Sequence, residues 1–194
     1  MVKRLVIILV VMLTILAFSN LAWSTVRDGT YDISGTMTTK ISIKHYGSQT
    51  SRGSFSDEQF TFYYNGDFED SSEEADLSGT WSQKKSKFTV YYNPDEIVSL
   101  FVDNLSDFGD VSVEVTSISC SGTEKKDGSI KGSMKMNMTL YLYDYDLSGK
   151  VKVSGSFTGY PAEESLSLSD KQSKGPESFM DVIGRSIRET IQQE

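Results

Sequence analysis

A two-residue alternation, with glycine recurring in its apolar phase, constrains this chain most. Four segments share the pattern apolar–x–Gly–Ser/Thr–large apolar: Ile33–Met37, Leu77–Trp81, Ile130–Met134 and Val153–Phe157. A period of two sends alternate side chains to opposite faces of a strand. Gly35, Gly79, Gly132 and Gly155 therefore fall on the face that carries the large apolar residues. Glycine inside a strand weakens it unless geometry requires it. A small sheet that curls shut does require it, because inward glycines relieve crowding at the bends. Small–large alternation also fits a tapered barrel interior. The copies lie 44, 53 and 23 residues apart, so they mark shared local structure and no tandem repeat.

The rest of the alternation predicts about eight short-linked strands. Tyr31, Ile33, Gly35 and Met37 define a first, and Ile41, Ile43 and His45 a second. Phe60, Phe62 and Tyr64 mark a third, ending at the tight-turn pair Asn65-Gly66. Leu77, Gly79 and Trp81 give a fourth. Phe88, Val90 and Tyr92 give a fifth, reached across Lys84-Lys85-Ser86. Val111, Val113 and Val115 open a sixth, whose phase slips to Ile118 and Cys120. That slip predicts a bulge near Thr116 and Ser117. Asp127-Gly128 turns into a long seventh, with Ile130, Gly132, Met134, Met136, Met138, Leu140 and Leu142 on one face. Val151, Val153, Gly155 and Phe157 close the series. Short links imply antiparallel pairing. The fold class is mainly β, an eight-stranded antiparallel barrel or a strongly curled sheet under a helical lid.

Two helices are expected. Asn93 caps, Pro94 fits the first turn, and Glu96 stands where a capping box places its acid. Ile97, Leu100, Phe101, Leu105 and Phe108 keep helical spacing up to Gly109, so this helix spans 94–108. A C-terminal amphipathic helix is expected over 176–194, with Phe179, Met180, Ile183, Ile187 and Ile191 as its apolar stripe. The polar stretch 161–175 reads as a linker.

The N-terminus sets the compartment. Lys3 and Arg4 precede an apolar run from Leu5 to Phe18, and Ala22-Trp23-Ser24 offers small residues for a peptidase. That is a secretory signal peptide over 1–24, and the run is too short for a membrane span. The barrel domain then occupies 25–160, in the periplasm or outside the cell, with no transmembrane anchor after cleavage. The chain carries a net charge of −8. It has no basic run to attract a phosphate backbone, so nucleic acid is not an expected partner. Cys120 is the sole cysteine, which rules out an intrachain disulfide and reads as a buried apolar residue.

An exported single domain of about eight antiparallel strands followed by a helix resembles the lipocalin-like, calycin-type barrels. Gly29-Thr30-Tyr31 lies where those families place Gly-x-Trp on the first strand, and Gly79-Thr80-Trp81 holds the full tripeptide in the fourth. The mid-barrel helix and the missing disulfide depart from that pattern. The resemblance, over roughly 27–160, implies a cavity for a small apolar ligand or lipid. Phe60, Phe62, Trp81, Phe88, Met134, Met136, Met138 and Phe157 are the expected lining residues.

Catalytic sets are scarce. His45 is the only histidine, so any Ser–His–Asp or Cys–His arrangement would have to use it. It shares the phase of Ile41 and Ile43 near a strand end and reads as a rim residue. One His and one Cys cannot supply a zinc set. Glu69–Asp76 holds five carboxylates in eight residues but lacks the glycine and the alternate-acid spacing of a calcium loop. Asp144–Gly149 comes nearer and lacks the downstream acid. Both read as solvated loops, with no metal and no cofactor expected, and calcium at 69–76 is left open. A carboxylate-pair hydrolase ranks last, because nothing selects the pair. Tyr63, Tyr91, Tyr141 and Tyr143 fall on the outward phase and could contact sugar rings or a partner protein. The expectation is therefore a non-enzymatic carrier of an apolar molecule. Its alternative is an interaction or structural protein of the cell envelope with a packed barrel.

Overall fold

The computed structural model describes residues 28–45, 47–72, 76–162, Arg185 and Glu189. The expected signal peptide and nearly all of the linker and C-terminal helix lie outside the described residues. Of that last segment Arg185 and Glu189 are described, both helical, with a 3.8 Å contact between their charged groups.

Eight antiparallel strands follow one another around a closed barrel. They are β1 (Gly29–Ile43), β2 (Gly47–Phe62), β3 (Asp67–Ser71), β4 (Asp76–Lys84), β5 (Lys87–Tyr92), β6 (Val111–Glu124), β7 (Ile130–Leu142) and β8 (Leu147–Pro161). Each pairs with the next, and β8 returns to β1. Helix α1 (Pro94–Asn104) lies between β5 and β6.

Eight strands were expected, but two are assigned differently. The expected first and second strands are one continuous strand, β1, and His45 sits beyond it in an exposed turn at φ 74°. The polar segment from Gly47 to Gln59 is strand, which its serines and glycines hid. Tyr64 belongs to the turn after β2 and is exposed. Half of the expected acidic loop is strand too. Residues 69–71 belong to β3, Asp76 opens β4, and Asp70 is buried. A loop reading cannot stand for a segment that alternates Phe68 and Asp70 inward against Asp67 and Glu69 outward.

The four glycines face inward, and phenylalanine rings cover two of them, Gly35 and Gly132. Across the wall the register runs Phe55–Gly35–Phe157–Gly132–Gly122–Phe88, from β2 through β1, β8, β7 and β6 to β5. Three of these rings lie over a glycine on the neighbouring strand. A Cβ at Gly35 would sit 2.6 Å from Phe55 Cζ, and one at Gly122 2.5 Å from Phe88 Cζ. A Cβ at Gly132 would collide with Phe157 Cζ. Gly35, Gly122 and Gly132 therefore make room for aromatic rings. Phe60, Phe62, Phe68 and Trp81 extend the cluster through edge-on pairs 5.1–5.3 Å apart: Phe60–Phe68, Phe60–Phe157, Phe62–Trp81 and Phe62–Phe88. Each fully buried ring contributes about 1.5–3 kcal/mol of transfer energy, and its edge-on contacts add a fraction more.

The wall is uneven. β2 pairs with β3 only from Gln59 to Phe62, and β5 with β6 only from Lys87 to Val90. α1 packs beside this low side, against β6 and β4, with Ile97, Phe101 and the following Leu105 buried. Asn93 caps it as expected, its Oδ1 accepting from the Asp95 amide at 3.2 Å. The Asn93 amide, however, donates to the Ser78 carbonyl. The Glu96 carboxylate is thus free to reach β4. It accepts from the Ser78 amide and hydroxyl, both at 2.6 Å, and from Asn93 Nδ2 at 3.0 Å. These bonds hold Glu96 below the ordinary glutamate pKa. The helix ends at Asn104, short of the expected Phe108, where Asn104 Nδ2 turns back to the Leu100 carbonyl. A 3₁₀ turn over Ser106–Phe108 then stops at Gly109, φ 85°. The bulge expected at Thr116 and Ser117 is present as a register shift between Val115 and Ser117.

Gly132→Ala should lower stability by about 1–3 kcal/mol. Its Cβ meets both the Phe157 ring and the Ser121 carbonyl oxygen, and backbone cannot step aside cheaply. Gly155→Ala should cost under about 1 kcal/mol, because its nearest neighbours are the Thr36 oxygen at 3.1 Å and Met37 Cβ at 3.6 Å. Urea unfolding of the two variants side by side checks this; equal losses would contradict the ring-over-glycine account.

Candidate functional site

The eight expected lining residues do come together inside the barrel. Phe60, Phe62, Phe88, Met134, Met136, Met138 and Phe157 are buried, and Trp81 is half-buried with its Nε1 donating to the Tyr63 carbonyl at 2.9 Å. They pack on one another. The void beside Met134 and Met136 is about 10 Å³, bounded also by Asp70, Leu77, Tyr92, Ile97 and Ile118. That is at the threshold for one water.

This void adjoins a polar cluster that sequence reasoning missed. Asp70 enters from β3 because strand alternation turns it inward, in phase with Phe68 and out of phase with the outward acids Asp67 and Glu69. Tyr92 enters from β5, and its hydroxyl donates to Asp70 Oδ2 at 2.7 Å. Glu58 is buried as well, and so is Cys120 on β6. Glu58 points in because β2 carries an extra residue opposite Ser34, which brings both Phe55 and Glu58 to the inner face. Burial pushes the Asp70 carboxyl up to about 7, against the pull of the Tyr92 hydroxyl. Burial, then the field of Asp70, raises the Cys120 thiol far above its usual range. Burial likewise raises the Tyr92 phenol. A thiol held protonated is no nucleophile. Cys120 lies inside and His45 in an exposed turn, so they form no catalytic pair. Among the described residues no group of three His, Cys, Asp or Glu side chains could hold a metal ion. The interior chemistry is that of a strained, protonatable core.

A second concavity lies outside, at the barrel end where the β1–β2 and β7–β8 turns meet. Lys44, His45, Tyr141, Tyr143, Tyr145, Asp146 and Ser148 are among the residues lining a groove of about 490 Å³. The Tyr141 and Tyr143 rings stack, 6.4 Å apart and 19° from parallel. A 3₁₀ turn over Tyr143–Tyr145, closed by Asp146 at φ 49°, carries both later tyrosines outward. The four tyrosines expected on the outer phase therefore divide. Tyr141 and Tyr143 meet here, joined by Tyr145, which no strand periodicity could flag. Tyr63 instead braces the β2–β3 turn by donating to Glu69 Oε2 at 2.6 Å. Tyr91 stands exposed on β5.

No protein family's sequence model matches the chain, and no curated protein matches it. Among solved structures it is similar to Ail, the attachment invasion locus protein of Yersinia pestis. That match has 9% identity and a TM-score of 0.30, over 69% of this chain and 100% of the other. A mutant of the vaccine antigen transferrin-binding protein B from Haemophilus parasuis gives 11% identity and a TM-score of 0.29, over 69% of this chain and 27% of that one. A protein of unknown function from Bacteroides ovatus gives 14% and 0.24, over 66% and 40%. At these values no property of the three transfers to this chain. The barrel implied by the calycin resemblance is present, and no match assigns the chain to that family.

The buried Asp70 predicts a pH dependence of definite sign. Its pKa of about 7 when folded stands above the ordinary 3.8. The native state therefore holds the extra proton between those values, and stability falls as pH rises through that window. Asp70→Asn keeps an acceptor for Tyr92 and removes the ionisation. The stability of Asp70→Asn minus that of the wild type should climb from about pH 4 to about pH 7 and then level. The climb is on the order of 4 kcal/mol. Urea unfolding across pH measures it; a difference independent of pH would remove Asp70 as the titrating group.

Proposed function

We propose that this chain is an exported, non-enzymatic interaction protein of the cell envelope. Its barrel is a packed support, and its working surface is the tyrosine groove at one end. One observation carries the reading: among the described residues, every large apolar side chain that is exposed is a tyrosine, while the interior is filled. Tyrosine offers a large apolar face and a hydroxyl with few rotatable bonds, which suits it to partner recognition. Three of these rings converge on one groove, with Lys44, His45 and Asp146 as polar contacts. The carrier reading draws on less. A small-molecule pocket needs about 300 Å³ or more, against about 10 Å³ beside the core methionines.

The test has two arms. Purified protein titrated with N-phenyl-1-naphthylamine should show no saturable rise in fluorescence. In cells, p-benzoylphenylalanine placed at Tyr143 should give one discrete photo-adduct. The same probe at Tyr160, which is also exposed (47% against 59%) but lies outside the groove, should give none. Stoichiometric naphthylamine binding that Met136→Trp abolishes would restore the carrier reading instead.

A further inference from the structure

The sequence holds 27 acidic residues against 19 basic ones, yet one face of the barrel carries only cations. On the outer wall Lys40 of β1 stands directly opposite Lys152 of β8. One rung away Thr38 lies between Arg52 of β2 and Ser154 of β8, and Ser154 faces Lys135 of β7. One rung the other way, Ser42 faces Lys150. Lys44 follows at the turn, its amide bonded to the Ser148 carbonyl. All six cations are exposed. Over Ser48–Ser54, Ser34–Ser42, Ser148–Ser156 and Ser133–Tyr141, the outward positions contain no carboxylate. The nearest acids are Asp146, which shares the end groove with Lys44, Glu114 of β6, opposite Thr139, and Asp32, farther down β1 and bonded to Gln59.

Like charges directly across a strand pair destabilise it. Among the described residues, none of the six makes an ion pair. A local rule broken without internal compensation marks a surface kept for something outside the fold. We propose that this wall docks on an anionic membrane surface. The wall is the convex outside of a barrel, four strands or about 14 Å wide, and so fits an extended charged plane better than a small ion. Tyr141 ends the same outward row of β7 and leads into the groove. A ring with a hydroxyl at the edge of a cationic face suits the headgroup region. The barrel is apolar inside and Lys-, Ser- and Thr-rich outside, the reverse of a barrel embedded in lipid. The contact is therefore peripheral. Each cation near an anionic leaflet is worth about fivefold in partitioning. Charges beyond about 8 Å of salt water are screened, so acids on the far wall oppose it weakly.

Co-sedimentation of the full chain with vesicles tests the proposal. Vesicles of 40:60 phosphatidylglycerol and phosphatidylcholine should bind it at 50 mM salt, at least tenfold more weakly at 500 mM, and pure phosphatidylcholine should not bind it. K40E/K152E should lower partitioning at least tenfold while retaining thermal stability, since it exchanges one exposed like-charge pair for another. K84E/K85E, at the β4–β5 turn, changes net charge equally and should leave partitioning within twofold. Equal losses from both pairs overturn the assignment of this wall. Retention on heparin with no binding to anionic vesicles also overturns it, in favour of a soluble polyanion. The photo-adduct at Tyr143 is a separate readout, so either result can fail alone.

Discussion

Closure of the barrel depends on phenylalanine rings occupying the space that glycines vacate on the next strand. Around one belt of the wall each phenylalanine stands beside a glycine, and three rings lie where a neighbour's Cβ would be. Two bulky residues side by side would push the strands apart. Where two glycines meet, at Gly132 and Gly122, the Phe157 and Phe88 rings cover them from either side. A ring covers exposed backbone while the glycine allows tight coiling. Once that belt is set, the edge-on cluster of Phe60, Phe62, Phe68 and Trp81 has a floor to pack on. Interior volume and wall curvature are thus one constraint, which is why the glycines mark a filled core.

The low side of the wall shows what happens where strand pairing runs short. β3 to β5 are too brief to match β1, β2 and β6, and α1 covers the deficit. Its anchor is a capping acid diverted to β4, available because the cap's own amide already donates to Ser78. Beneath it sit Asp70 and Tyr92, a hydrogen-bonded pair buried at the cost of a carboxyl that resists ionisation. The buried ionisable pair therefore lies where strand pairing is shortest.

Inside and outside divide the labour. The interior holds rings, thioethers and one protonatable cluster, and the void beside that cluster has room for about a single water. The exterior holds what faces other molecules: a stacked tyrosine pair in a groove, and a wall of cations on a chain that is acidic as a whole. Net charge alone misleads about contact surfaces, since a field a few Debye lengths away is screened and the local face decides.

The two-residue phase, the inward glycines, the Asn65-Gly66 and Asp127-Gly128 turns and the Asn93 cap were legible in the sequence. Each depends on residues within a few positions of one another, and short-range sterics fix them. The polar part of β2, Gly47 to Gln59, was missed because its run of Ser, Thr and Gly has no apolar phase of its own. Asp70 was missed because a dense acidic stretch outweighed the single Phe68 that sets its register. The rest only the tertiary structure decided: which ring covers which glycine, that Asp70 meets Tyr92, that three tyrosines converge, and that Lys40 faces Lys152. Apart from the tyrosines, which one 3₁₀ turn gathers, these partners lie tens to more than a hundred residues apart along the chain. Strand register alone brings them together, and register is set by the closed sheet as a whole.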